Sequence, residues 1–99
     1  KQVEHPNFKL CLDMGHAHCY SEISVLEWAQ ELAPYIGHVH VHDNAGDRDA
    51  HLGLGKGTLP YQEVLRILPN SEKRTWSIEC SRKEDVLLCL QKIKTEGLL

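Results

Sequence analysis

Polar and apolar residues alternate in three short runs of the chain. They are Leu10-Cys11-Leu12-Asp13, His38-Val39-His40-Val41-His42 and Thr75-Trp76-Ser77-Ile78-Glu79-Cys80. Alternation at period two predicts half-buried strands. Each run is followed by a segment with helical spacing. Behind the first, Ser24-Val25-Leu26-Glu27 has the form of a capping box. Val25, Trp28, Ala29, Leu32 and Ala33 then make an apolar stripe that ends at Pro34. Behind the second, Thr58 is placed to cap a helix with Pro60 in its first turn and Tyr61, Val64, Leu65 and Leu68 on its buried face. Behind the third, Ser81-Arg82-Lys83-Glu84 reads as another capping box. Val86, Leu87, Leu90 and Ile93 follow it, with a stop near Gly97.

Strand followed by helix, three times over, predicts a parallel sheet. The two faces of each strand differ. Leu10 and Leu12, Val39 and Val41, and Trp76 and Ile78 supply apolar faces suited to helices. The opposite faces carry Cys11 and Asp13, then His38, His40 and His42, then Thr75, Ser77 and Glu79. A sheet covered by helices on both sides does not favour so many inward polar groups. A barrel whose interior opens into a site at the strand C-termini does. The expected fold class is α/β: a partial (β/α)8 TIM barrel of about three βα units with parallel strands over residues 1–99.

Composition narrows the function. With 41% hydrophobic and 25% charged residues, the chain has the make-up of a globular domain, which excludes disorder and collagen-like repeats. No apolar run is long enough to cross a membrane and no secretory leader opens the chain, so a cytoplasmic location is expected. Eleven basic against fourteen acidic residues, a net charge of -3, argue against nucleic acid as the partner. Cys11, Cys19, Cys80 and Cys89 form no C-x-x-C pair and are expected to be reduced structural thiols. The histidines are more telling. Of the seven, five fall between His16 and His42 and a sixth is His51, among acidic residues, which signals a metal or titrating site.

Asp13, His40 and Glu79 each stand at or near the C-terminal end of a strand, where α/β folds mount functional groups. Two carboxylates and an imidazole suit Zn²⁺, Mn²⁺, Co²⁺ or Fe²⁺ without choosing among them. His16, three residues beyond Asp13, brings a second imidazole to the same place. Asp49 and His51, in the loop after the second strand, offer two more ligands or a hydrogen-bonding pair for a substrate. Arg48 and Lys56 are candidates for a substrate phosphate or carboxylate. Gly53-Leu54-Gly55-Lys56-Gly57-Thr58 invites a phosphate-loop reading that fails, because Lys56 is followed by Gly57 and position 50 is Ala. Its glycines are expected to permit positive φ in a loop leading to the next helix.

With these residues in place, the chain resembles the xylose isomerase-like barrels. The resemblance rests on Leu12-Asp13-Met14-Gly15-His16-Ala17-His18, on His38-Val39-His40-Val41-His42-Asp43-Asn44, on His51-Leu52-Gly53-Leu54-Gly55-Lys56-Gly57 and on the strand ending Ile78-Glu79-Cys80. It implies one divalent metal held by Asp13, His40, Glu79 and an earlier glutamate that has no counterpart here. His16 would contact substrate in the manner of the isomerases or metal in that of the zinc-dependent apurinic endonucleases. Asp49 and His51 match the endonucleases' extra ligand pair.

The activity the resemblance implies is a sugar or sugar-phosphate isomerase or epimerase working by proton transfer through an enediolate. Glu79 would move the proton and His16 would orient substrate hydroxyls. The alternatives are an endonuclease-like phosphodiesterase, against which the acids Asp43, Asp47 and Asp49 count, or a catalytically incomplete piece of a barrel. A complete barrel needs about 250 residues, so the resemblance implies that residues 1–99 are the C-terminal part of one. With the earlier glutamate missing from the ligand set, the isolated chain is expected to bind metal weakly and to be inactive. The partners expected are a small sugar or sugar phosphate, the N-terminal part of the barrel and, as an option, a second copy of the chain.

Overall fold

The computed structural model describes residues 9–98. In chain order it has strand β1 (Leu10–Asp13), helix α1 (Met14–Tyr20), helix α2 (Val25–Leu32), a 3-10 turn (Ala33–Tyr35), strand β2 (Ile36–Val41), helix α3 (Tyr61–Ile67), strand β3 (Thr75–Ile78) and helix α4 (Lys83–Thr95). The three strands form one sheet in the order β1-β2-β3, parallel throughout. The expected α/β class, three parallel strands with intervening helices, is what the chain adopts.

The register places Asp13 beside His40, and His40 beside Ser77. All three strands therefore stop at the same end of the sheet. Val39 and Val41 are fully buried in a core with Ile36, Val25, Ala29, Val64 and Leu65. The histidine side of β2 is only half-buried. The period-two reading of β2 thus holds in three dimensions, one face for the helices and one for the site.

The ends of the elements differ from expectation. Helix α1 has no apolar stripe to announce it: four of its seven residues are Gly15, His16, His18 and Cys19, none of them a strong helix former. It forms because Asp13 caps it, accepting the His16 amide, and because Met14 and Gly15 are buried. The Ser24 cap is as expected, its hydroxyl accepting the Glu27 amide at 3.1 Å. The Thr58 cap is not, since α3 starts at Tyr61 with Pro60 before it. The Thr58 hydroxyl lies 2.8 Å from His18 Nε2 instead, fastening the loop to α1. The Ser81 cap is likewise absent. Helix α4 begins at Lys83 after Arg82, and Glu84 pairs with Arg82.

Helix α4 follows its apolar pattern only in part. Ile93 is buried and Val86 half-buried, but Leu87 and Leu90 are exposed, and Asp85 and Cys89 face inward beside Ile93. The reason lies in the loop beneath it. Leu54 donates its amide to Cys89 Sγ, Lys56 pairs with Asp85 at 2.6 Å, and the lack of a side chain at Gly53 lets Asp85 and Leu88 approach. All four cysteines are free. Burial and the Sγ of Cys89, 3.5 Å away, push the Cys80 thiol up to about 12, so it stays protonated. Cys11 is exposed on the sheet face it shares with Asp13, the face that the alternation of β1 assigns to it.

Candidate metal centre

The site is assembled from the ends of the three strands. Asp13 is the last residue of β1 and Glu79 follows the last residue of β3. His40 projects from β2 between them. Its Nδ1 lies 3.4 Å from Asp13 Oδ2 and 3.5 Å from Glu79 Oε1. One donor atom from each of Asp13, His40 and Glu79 can be chosen so that all three lie within 4.8 Å of one another. The Glu79 backbone is held to the sheet by its amide, which donates to the Val41 carbonyl. Its second carboxylate oxygen faces the Ser77 hydroxyl at 3.3 Å.

Asp13 is the most constrained of the three. Its Oδ1 accepts from His42 Nε2 at 2.6 Å and from the His16 amide at 2.8 Å. Burial pushes its carboxyl upward, but hydrogen bonds from His42, the His16 amide and His40 outweigh burial and hold it well below the usual carboxylate range. An ionised carboxylate with one oxygen tied down and the other turned towards an imidazole suits a hard or borderline divalent cation. The residues present therefore fit the expected metal. The strand register brings them together.

A second cluster stands beside the first. Donor atoms of His42, Asp49 and His51 also lie within 4.8 Å of one another. The His42 ring is stacked on the His51 ring, centroids 4.0 Å apart and planes 4° from parallel. His51 Nδ1 donates to the Glu79 carbonyl, and its Nε2 is 3.3 Å from Asp49 Oδ2. The bond to the Glu79 carbonyl raises the His51 pKa, burial opposes it, and Asp49 adds to the rise. His51 sits at φ 51°, a left-handed conformation uncommon outside glycine. Asp49 Oδ2 is also 3.9 Å from His16 Nδ1. So Asp49, His51 and His16 gather around the strand ends as expected, with His42 as an addition.

Arg48 is exposed on the loop that carries Asp49. Lys56, expected to meet a substrate anion, has its ammonium on the buried Asp85. An open cleft of about 310 Å³, lined by Asp13, His16, Ala17, Tyr20, Ser21 and Trp28, leads to the first cluster. The His16 and Tyr20 rings pack together along it, 4.7 Å apart.

His42, Asp43 and Asn44 are not among the expected site residues, yet all three are fully buried. Asp43 accepts four backbone amides, those of Asn44, Gly55, Gly57 and Leu59. Asn44 donates to the Gly15 carbonyl and accepts from Gly46. The glycines of this loop serve that closure: Gly55 has φ +89°, and a side chain at Gly57 would collide with the Asn44 carbonyl. The available signal was His42 itself, which continues the alternation of His38 and His40 into the loop.

Comparison with known proteins agrees with this architecture. A family model described as the xylose isomerase-like TIM barrel matches residues 1–94. Two proteins of Methanocaldococcus jannaschii (strain ATCC 43067) are similar, both named only as uncharacterized. MJ1614 is 33% identical over 90 residues, 87% of this chain and 34% of its own length. MJ1311 is 36% identical over 69 residues, 69% of this chain and 24% of its own. A solved structure titled a D-tagatose 3-epimerase-like protein superposes with a TM-score of 0.78 at 31% identity, over 96% of this chain and 36% of that one. The chain thus spans about a quarter to a third of the length of these relatives. With the family match covering nearly all of it, the chain belongs to the xylose isomerase-like TIM barrel family.

Proposed function

We propose that this chain supplies the divalent-metal end of a sugar isomerase or epimerase. The observation that carries the reading is the convergence of Asp13, His40 and Glu79 from three successive strand ends onto one point. The similarity to a D-tagatose 3-epimerase-like protein points to a ketose or a related small carbonyl sugar as substrate.

The metal, when bound by Asp13, His40 and Glu79, supplies positive charge against the negative charge that develops on substrate oxygens during proton transfer. The remaining work falls to side chains. Asp13 stays ionised at neutral pH because of the donors on its Oδ1. Glu79, half-buried beside His40, is the carboxylate placed to take and return a proton at the carbon next to the carbonyl. His16, at the mouth of the cleft and largely exposed, offers its ring to substrate hydroxyls. Tyr20 and Trp28 line the same cleft and can cover the apolar side of a carbon chain.

Asp49 and His51 give the phosphodiesterase alternative its one supporting observation, since they cluster as a potential ligand pair. The loop that bears them opposes it, with Asp43, Asp47 and Asp49 against Arg48, whereas duplex DNA requires several cationic contacts.

The test uses the protein in its natural full length, incubated with D-tagatose and related ketoses and Mn²⁺ or Co²⁺. Epimer interconversion that is abolished in Glu79→Gln, with no cleavage of abasic-site duplex, is the expected result. Cleavage of the duplex without sugar turnover on either metal contradicts the reading.

A further inference from the structure

The most unusual packing in the molecule is the buried ring of His42, which touches the candidate metal centre without joining it. We propose that His42 is a positioning residue: a wedge that fixes which oxygen of Asp13 faces the metal. The inference rests on the metal reading above and assigns His42 a role within it.

Three contacts define the wedge. His42 Nε2 donates to Asp13 Oδ1 at 2.6 Å, and the His16 amide donates to the same oxygen. Both donors therefore occupy Oδ1 and leave Oδ2 as the oxygen on the His40 side, 3.4 Å from His40 Nδ1. One flat side of the ring lies on His51, parallel to within 4°. His51 is itself bonded to the Glu79 carbonyl. The wedge thus links Asp13 on β1 to the backbone of Glu79 just beyond β3, across the strand that bears His40. Room for the ring comes from α1, where a Cβ on Gly15 would overlap the His42 imidazole. Gly15 is helical with an ordinary φ, so backbone freedom does not require it there. The space it leaves does.

A carboxylate that can swing presents either oxygen, or both, to a cation. Partners that orient ligands from behind commonly contribute 10–100-fold to metal affinity. His42 has the geometry of such a partner. Its Nε2 is spent on Asp13, and its Nδ1 is buried 3.9 Å from Asp49 Oδ1 with no hydrogen-bond partner among the described residues. That unpartnered nitrogen makes the rival role plain: His42 could instead be a ligand, with Asp49 and His51, of a second ion.

The two roles separate in a Co²⁺ titration of the full-length protein, followed by calorimetry and by the visible spectrum. In His42→Leu the donor is lost. In Gly15→Ala the donor is kept but the ring is displaced. In His42→Gln the side-chain amide can take the place of Nε2–H. The wedge predicts one ion per chain in every variant. It predicts affinity lowered 10–100-fold with an altered spectrum in His42→Leu and Gly15→Ala, and recovery to within about threefold in His42→Gln. Circular dichroism checks folding. Should His42→Leu fail to fold, the Gly15→Ala and His42→Gln pair carries the same comparison. Wild-type affinity and spectrum in the displaced variants overturn the wedge. So does binding of two ions by the wild type with one lost in His42→Leu. Absence of any Co²⁺ binding by the wild type overturns the metal reading, and the wedge with it.

Discussion

Asp13 and Asp43 stand at the ends of neighbouring strands and meet opposite fates. Asp43 is fully buried, with both oxygens spent on four backbone amides. Asp13 is half-buried, with one oxygen spent on two donors and the other left towards His40. The same side chain builds a loop in one place and presents a ligand atom in the other. What separates them is the supply of backbone donors. The glycine-rich loop after β2 folds back and surrounds Asp43 with amides. The helix after β1 turns away and offers Asp13 only one. A strand-end carboxylate is a structural anchor when the loop closes on it and a chemical group when the loop leaves it open.

Breaking the anchor should cost the most. In Asp43→Asn one oxygen becomes an NH₂ group facing amide donors, and the charge that four N–H groups converge on is lost. A buried, charge-assisted network of this kind is worth about 3–5 kcal/mol. Urea unfolding should show a loss of that size. Asp13→Asn should lose much less, about 1–2 kcal/mol, because solvent reaches its site. If the two variants are destabilised equally, the distinction between anchor and ligand collapses.

Gly57→Ala should rank next. The added methyl would meet the Asn44 carbonyl in a loop that Asp43 and Asn44 already fix. A clash with backbone cannot be relieved by a rotamer change, so about 2 kcal/mol is expected, read from the same unfolding curve.

A smaller effect concerns acid. The Lys56 ammonium, by hydrogen bond and charge, holds the Asp85 carboxyl below its ordinary value despite burial. A carboxylate depressed in the folded state adds stability above its unfolded pKa of about 4 and loses it as pH falls through the folded value. Asp85→Asn should therefore be less stable than wild type at pH 7 and should show a flatter decline below about pH 4. Thermal melts across pH 2.5–7, in roughly half-unit steps, check this. Parallel curves would mean that the Lys56 pair contributes nothing. Least affected of all should be Leu87→Ser, on the open side of α4. With its side chain exposed, the change should stay within about 0.5 kcal/mol.

The parts legible in sequence were those set by side-chain periodicity. The alternation through β2 gave its buried valines and its site-facing histidines, and the register then brought Asp13, His40 and Glu79 together. Helix α1 was not legible, because a strand-end aspartate and burial of Met14 and Gly15 make it rather than an apolar stripe. The inward face of α4 was legible only at Ile93 for a related reason: the loop at Gly53 to Lys56 chose Asp85 and Cys89 over Leu87 and Leu90. Contacts between segments far apart in sequence leave no local pattern. His42 shows the limit well. Its alternation placed it on the right face, but its burial depends on Gly15 and His51 from two other segments.

The most direct test of the central claim is anomalous diffraction from crystals of the full-length protein soaked in Mn²⁺. The account predicts a single strong peak per chain between Asp13 Oδ2, the His40 ring and the Glu79 carboxylate, with Asp13 Oδ1 still on His42. A peak among His42, Asp49 and His51, with none at the first cluster, would contradict it.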